Sequence, residues 1–196
     1  YNAGDTAAMV RGDGGYAELV TEVRQMTQQI ERSRDKLNRS RNERESNAAQ
    51  REIEWMRPLV PRLRNPGLRA GMLACEGEWY EQSGDNARAL AFYEQAVGVA
   101  EAAHDDRRLA DVLFLRGYAR GVVGEFPGGL VDLRRALGLY QRLRLDPEAR
   151  TTLSGVASLY TRMGDYVEGR QFYERALATM PEQPATRERL VTLHNL

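Results

Sequence analysis

Shifted by 40 residues, the sequence falls on itself three times, and this self-similarity limits the fold more than any other feature. Leu73, Leu113 and Leu153 align, followed by the small residues Gly77, Gly117 and Ala157. Gly84-Asp85, Gly124-Glu125 and Gly164-Asp165 come next. Small residues return at Ala89, Gly129 and Gly169, large ones at Tyr93, Leu133 and Tyr173, and Ala96, Ala136 and Ala176 close the unit. A fixed period of this size means a stack of supersecondary units, each unable to bury its apolar face alone.

The spacing inside the unit is helical. Leu73, Gly77 and Tyr80 stand at i, i+4 and i+7, one stripe of a first helix, and Ala89, Tyr93 and Ala96 repeat the stripe on a second. Between them the Gly-Asp or Gly-Glu pair ends the first helix through a left-handed residue, a conformation that costs glycine little. Small residues where the helices cross let the backbones approach, and the tyrosines fill the space beside them.

Leu73, Gly77, Tyr80, Ala89 and Tyr93 resemble the tetratricopeptide repeat pattern. So do Leu153, Ala157, Tyr160, Gly169, Tyr173, Ala176 and Pro181. The middle unit departs from it, with Arg120 in place of tyrosine and Gln141 in place of proline. The period exceeds the family's usual length of about 34 by roughly six residues, which implies longer helices or longer connections. The resemblance covers residues 70–182 and implies an all-α, superhelical solenoid of antiparallel helix pairs. Leu193 and Leu196 restart the pattern. The expected organisation is a flexible leader over 1–15, a helical cap or degenerate repeat over 16–66, three repeats over 67–182, and the start of a cut-off fourth over 183–196.

Ahead of the repeats, Leu19, Val23, Met26, Ile30 and Leu37 lie near heptad spacing, diluted by Ser33 and Ser40. They predict a long amphipathic N-terminal helix that either caps the solenoid or pairs with a second chain as a homodimer. Ala49, Ile53, Met56 and Pro61 match second-helix positions one period early. Pro58, Pro61 and Pro66-Gly67 break the chain before the first clear unit. Asp146-Pro147-Glu148 predicts a later helix start, with aspartate as cap and proline in the first turn. The ragged beginning, "YNAGDTAAMVRGDGG", suggests a piece of a longer protein.

Composition narrows function by what it lacks. Acids and bases balance at 28 each, so no net field points to nucleic acid or an anionic membrane. The run over 32–46 has six basic residues but no interleaved aromatics for stacking on bases, and reads as a solvated helix face. Lys36 is the only lysine, an arginine bias typical of a GC-rich genome. No run of about 20 apolar residues is present to span a membrane. His104, His194 and Cys75 show no metal-ligand spacing, and no phosphate-loop or nucleophile-elbow motif occurs. Glu76, Glu78 and Glu81 lie close together, as carboxylates on a charged helix surface commonly do. The reading is therefore non-catalytic, with no cofactor and no metal.

The resemblance implies a concave groove lined by the first helices, open to an extended or helical peptide, a protein segment or a small ligand. By alignment it places Ala74, Glu78, Glu81 and Gln82 there from the first unit, and Asp111, Phe114, Tyr118 and Val122 from the second. The third supplies Thr151, Ser154, Ser158 and Arg162. Phe114 and Tyr118 are spare aromatics, suited to be anchors or to pack on a neighbouring segment. The basic residues with which chaperone-binding members hold a terminal carboxylate are replaced by Ala74, Phe114 and Ser154, which argues against such a clamp. Arginine-rich arrays with "GD" turns resemble the sensory regions of bacterial signalling proteins such as diguanylate cyclases. That implies an input module, periplasmic as part of a membrane-bound sensor, or else cytoplasmic. The alternatives are a dimerisation scaffold and the regulatory part of a transcription factor.

Overall fold

A computed structural model describes the chain continuously from 65 to 179, with isolated residues on either side. The chain divides into two compact units, Tyr1–Leu59 and Val60–Leu196. The leader, the long N-terminal helix and the degenerate repeat fall outside the described residues apart from isolated positions, as do Pro181, Leu193, His194 and Leu196.

Among the described residues every element is a helix. The order is α1 (Pro66–Gln82), α2 (Asn86–Ala102), α3 (Asp106–Val122), α4 (Phe126–Arg142), α5 (Asp146–Arg162) and α6 (Tyr166–Ala178). Five have 17 residues, and starts at 66, 86, 106, 126, 146 and 166 recur every 20. The extra length of the repeat thus lies in the helices, while every connection has three residues. Each helix is about three residues, just under one turn, longer than a 34-residue unit with the same connections would allow.

All five connections are one structure. Asp85 N–H donates to the Tyr80 carbonyl at 2.9 Å and Gly84 N–H to the Glu81 carbonyl at 3.0 Å, the paired bonds of a Schellman ending. The same two bonds recur at His104-Asp105, Gly124-Glu125, Arg144-Leu145 and Gly164-Asp165. Glycine takes positive φ (83°, 87° and 86°) inside the repeats, whereas His104 (53°) and Arg144 (56°) take it between them. The glycine pattern therefore revealed alternate turns only. Asp85, Asp105 and Asp165 then cap the next helix, accepting from Arg88 N, Arg108 N and Glu168 N at 3.1, 2.9 and 3.3 Å. One expectation is corrected here. Leu145, not Asp146, occupies the cap position of α5 and makes no side-chain cap bond; Asp146 and Pro147 are its first two helical residues. The shared turn geometry sets the helix start and overrides the local preference for aspartate.

Close approach within the repeats follows the small residues. A Cβ on Gly77 would stand 2.5 Å from the Tyr93 ring, which is fully buried against it. At the equivalent crossing Gly117 lies under Leu133 and the Gly129 carbonyl. Helices of one repeat pack more extensively than those of adjacent repeats, yet no repeat holds a core of its own. Thr192, 40 residues after the buried Thr152, is also helical and buried.

The middle repeat differs in chemistry. Tyr80 stacks on Phe92 with centroids 5.3 Å apart, and Tyr160 on Phe172 at 5.6 Å. The counterparts in the second repeat are Arg120 and Asp132, paired at 2.7 Å. Arg116 joins them, with Nε 2.8 Å and Nη2 2.7 Å from the two Asp132 oxygens. Its third nitrogen reaches Glu94 of the preceding repeat. Asp132 is 2% exposed and Arg116 8%. Burial opposes the Arg116 charge, but bonds to Asp132 and Glu94 outweigh it and hold the guanidinium above its ordinary value.

Candidate functional site

The first helices of the repeats form the inner face: α1 touches α3 and α3 touches α5, whereas α2, α4 and α6 make less contact with one another. On α3, Asp111, Phe114, Tyr118 and Val122 fall on one stripe, and on α5 Thr151, Ser154, Ser158 and Arg162 fall on the same one.

The structure distributes the predicted groove residues unevenly. In α1 Ala74 and Glu78 are buried, with 7% and 8% exposure, and only Gln82 is fully accessible. Glu81 turns toward its own repeat and accepts from the Tyr93 hydroxyl at 2.8 Å. Burial pushes its carboxyl pKa up, partly offset by that bond. Phe114 is half-buried against both core clusters, so its ring serves packing. Tyr118, its neighbour at 6.3 Å, stays 49% exposed, and Val122 beside it 43%. The accessible stretch of the face therefore begins at the second repeat.

The charged side chains of that stretch are engaged within the fold. Asp111 accepts from the Tyr140 hydroxyl at 2.9 Å and from Arg107 Nε at 3.3 Å, and Arg107 reaches Glu148 on α5 at 2.9 Å. Burial and the Asp111 carboxylate raise the Tyr140 phenol well above its ordinary value. Arg162 lies over the Phe126 ring at 5.3 Å. Ser158 shares a hydrogen bond with the Tyr173 hydroxyl, which also meets the Asn195 side chain. What remains is an exposed aromatic, Tyr118, on a face to which α5 brings the exposed Thr151 and the half-buried Ser158, the Ser154 hydroxyl being buried. Such a surface can anchor a side chain and hydrogen-bond a backbone, but has no paired base and nucleophile for covalent chemistry.

Among the described residues no group of histidine, cysteine and carboxylate side chains is arranged to hold a metal ion, and no helix is long and apolar enough to cross a membrane. Cys75 is buried in α1, and His104 is an exposed turn residue. Sequence reasoning missed Asp132 and the Arg107–Glu148 bridge; the signal for Asp132 was the aromatic at its counterparts, Phe92 and Phe172.

A family model described as Tetratricopeptide repeat matches residues 77–107 and 152–188. Among solved structures, BtubC (BKLC) from P. vanneervenii superposes with a TM-score of 0.65 at 18% identity, covering 91% of this chain and 81% of that one. A Podosopora anserina structure described as putative kinesin light chain, nearly identical TPR-like repeats, gives 0.71 at 16% identity, covering 88% and 83%. A single-residue variant of that protein gives 0.72 at 14% with the same coverage. A search of curated proteins gives no match. The solved structures share the fold; with the family match they support the tetratricopeptide reading. Such repeats are generally non-catalytic scaffolds for protein–protein interaction.

Proposed function

We propose that the protein binds a peptide or protein segment on the inner face of its second and third repeats, with Tyr118 as anchor and Thr151 and Ser158 as hydrogen-bonding flank. The observation that carries this is an aromatic ring left half-exposed on a face where Asp111, Arg107 and Glu148 are engaged with each other. Self-paired charges favour a partner recognised through aromatic and backbone contacts over one held by a charged terminus, in keeping with the missing carboxylate clamp.

Peptides selected from a random library against the full chain test the proposal. Their binding should weaken about thirtyfold with Tyr118→Ala, the loss of one hot-spot side chain worth about 2 kcal/mol. Their amide shift changes should fall on α3 and α5. Selected peptides indifferent to Tyr118→Ala and to Ser158→Arg would sink it.

The finer reading is an input module of a larger bacterial signalling protein, supported by the arginine bias, the 40-residue unit and the "GD" turns. It implies that Tyr118→Ala in the intact gene product alters an output activity without altering folding. Unchanged output would remove that reading and leave the binding module standing.

A further inference from the structure

The outer layer of the array, made by the second helices α2, α4 and α6, carries charge differently at its two repeat boundaries. At the first boundary α2 supplies two carboxylates that answer arginines of the second repeat. Glu94 lies 2.5 Å from Arg116 and 3.9 Å from Arg120, and Glu101 lies 2.5 Å from Arg135. One period later the same two positions, now on α4, are Arg134 and Gln141. Both carboxylates are gone, and one has become a cation.

The arginines that remain are held by rings instead. Arg175 stands in α6 where Arg135 stands in α4, with Gln141 in the place of Glu101. Its guanidinium lies over the Phe172 ring at 4.8 Å. Arg134 lies over the Tyr160 ring at 5.7 Å and donates from Nη2 to the Tyr160 hydroxyl. Tyr160 and Phe172 are themselves stacked, so one pair of rings holds two guanidinium groups. Among the described residues neither arginine meets a carboxylate. The other arginines of the outer helices, Arg88, Arg135, Arg142 and Arg170, pair with Asp85, Glu101, Asp106 and Glu174.

A ring face fixes a guanidinium without cancelling its charge, so less side-chain freedom is lost when an anion arrives. Arg134 and Arg175 are both exposed. So is Arg135, which has a whole repeat after it, and exposure therefore belongs to the position rather than to the last repeat. Val131, 65% exposed, precedes Arg134 by about one turn on the same face of α4 and adds an apolar contact.

We infer that Arg134, Arg175 and Val131 form a docking site on the outer layer for an acidic segment of a partner protein. Its carboxylates answer the two arginines as Glu94 and Glu101 answer theirs one repeat earlier, and an apolar side chain covers Val131. Two isolated cations suit a short acidic motif. Nucleic acid or an anionic membrane calls for an extended basic strip, which Glu94, Glu101 and Glu174 interrupt on this layer. The site lies away from the inner face and does not rest on the groove reading.

The probe is a short synthetic peptide with one leucine flanked on each side by glutamates. Titrated into the isotope-labelled full chain at low salt, it should shift the amides around Val131, Arg134 and Arg175 and the Nε–Hε signals of both arginines. The response should weaken as salt rises. Arg134→Gln and Arg175→Gln should each weaken binding about threefold, the worth of one exposed ion pair. Gln141→Glu is the sharper variant, because it gives Arg175 the internal partner that Arg135 has. It should weaken binding by a similar factor and leave the fold intact. Equal binding of a peptide with glutamines for glutamates would overturn the inference, as would affinity unchanged by Gln141→Glu. So would an absence of shifts at millimolar peptide, or shifts confined to the inner face around Tyr118 and Ser158. Inorganic phosphate that moves the two Nε–Hε signals as far as the peptide does, at matched ionic strength, would overturn it in favour of a phosphate site.

Discussion

The outer repeats and the middle one fill the same slot between two helices with different chemistry. In the first and third, tyrosine and phenylalanine rings stack, and each stack closes within its own repeat. In the second, Arg116 and Arg120 clamp Asp132 and also reach Glu94 of the repeat before. Backbone geometry is indifferent to the exchange, because helix length and turn type are set by the paired Schellman bonds. The energetics are not indifferent. A stack gains from apolar area and ring geometry, whereas a buried ion pair must first recover its desolvation cost and gains mainly in directionality. The ionic version also ties three helices from two repeats, which neither stack does.

The largest expected effect comes from breaking the ionic slot on one side. Asp132→Ala leaves two guanidinium groups without their buried partner and should cost about 3–5 kcal/mol of unfolding free energy in denaturant titration. Phe172→Ala, in the partly exposed aromatic slot, should cost less, about 2 kcal/mol. A loss from Asp132→Ala no greater than that from Phe172→Ala would show that the clamp is energetically idle. Next comes conversion of one chemistry into the other. Arg116→Val, Arg120→Tyr and Asp132→Phe together give the middle repeat the residues of the third, Val156, Tyr160 and Phe172. The triple variant should be as stable as the parent or more so by about 1–4 kcal/mol, as when buried ion pairs give way to packed apolar groups. A cooperative transition at lower denaturant would mean that the slot is shaped for ions.

Smaller effects probe the turns. His104→Gly and Arg144→Gly each relieve a left-handed residue and should raise stability by about 0.5–1 kcal/mol after the extra entropy of unfolded glycine. Gly164→Ala, at φ 86°, should lower it by about 1 kcal/mol or more. The smallest effect is on pH dependence. Glu81 holds its proton above the ordinary value of 4.5, so the fold binds that proton more tightly than the unfolded chain does. Its contribution is fully present below 4.5 and is lost as pH rises through the raised folded value. Glu81→Gln should flatten that part of the stability–pH curve, read as a reduced slope between the parent and variant profiles.

The helical array was legible because its code is short-range. Glycine before an acid, small residues at crossings and apolar stripes are each fixed by backbone geometry that any occupant must satisfy. What sequence missed lay where geometry leaves the choice of side chain open. Arg120 registered as a departure from the pattern, but its meaning depended on Asp132, 12 residues on and on the facing helix. His104 and Arg144 hid two turns because the left-handed position prefers glycine without requiring it. On the inner face, the alignment named a stripe but could not weigh burial: Phe114 and Tyr118 are one helical turn apart, and only the second faces out. Glu78 and Glu81 likewise lie on α1, yet one is buried and the other turned to Tyr93.

Helix starts every 20 residues make the repeat region a one-dimensional lattice with two sites per cell. Excising residues 106–145 removes one whole cell and brings α5 where α3 stood, inner face still inner. Excising 106–125 removes half a cell, so that every later helix changes sides and the stripe built to face inward turns outward. The chain's tolerance of length change is therefore quantised in steps of 40, and parity, rather than size, decides which rearranged descendants keep a binding face.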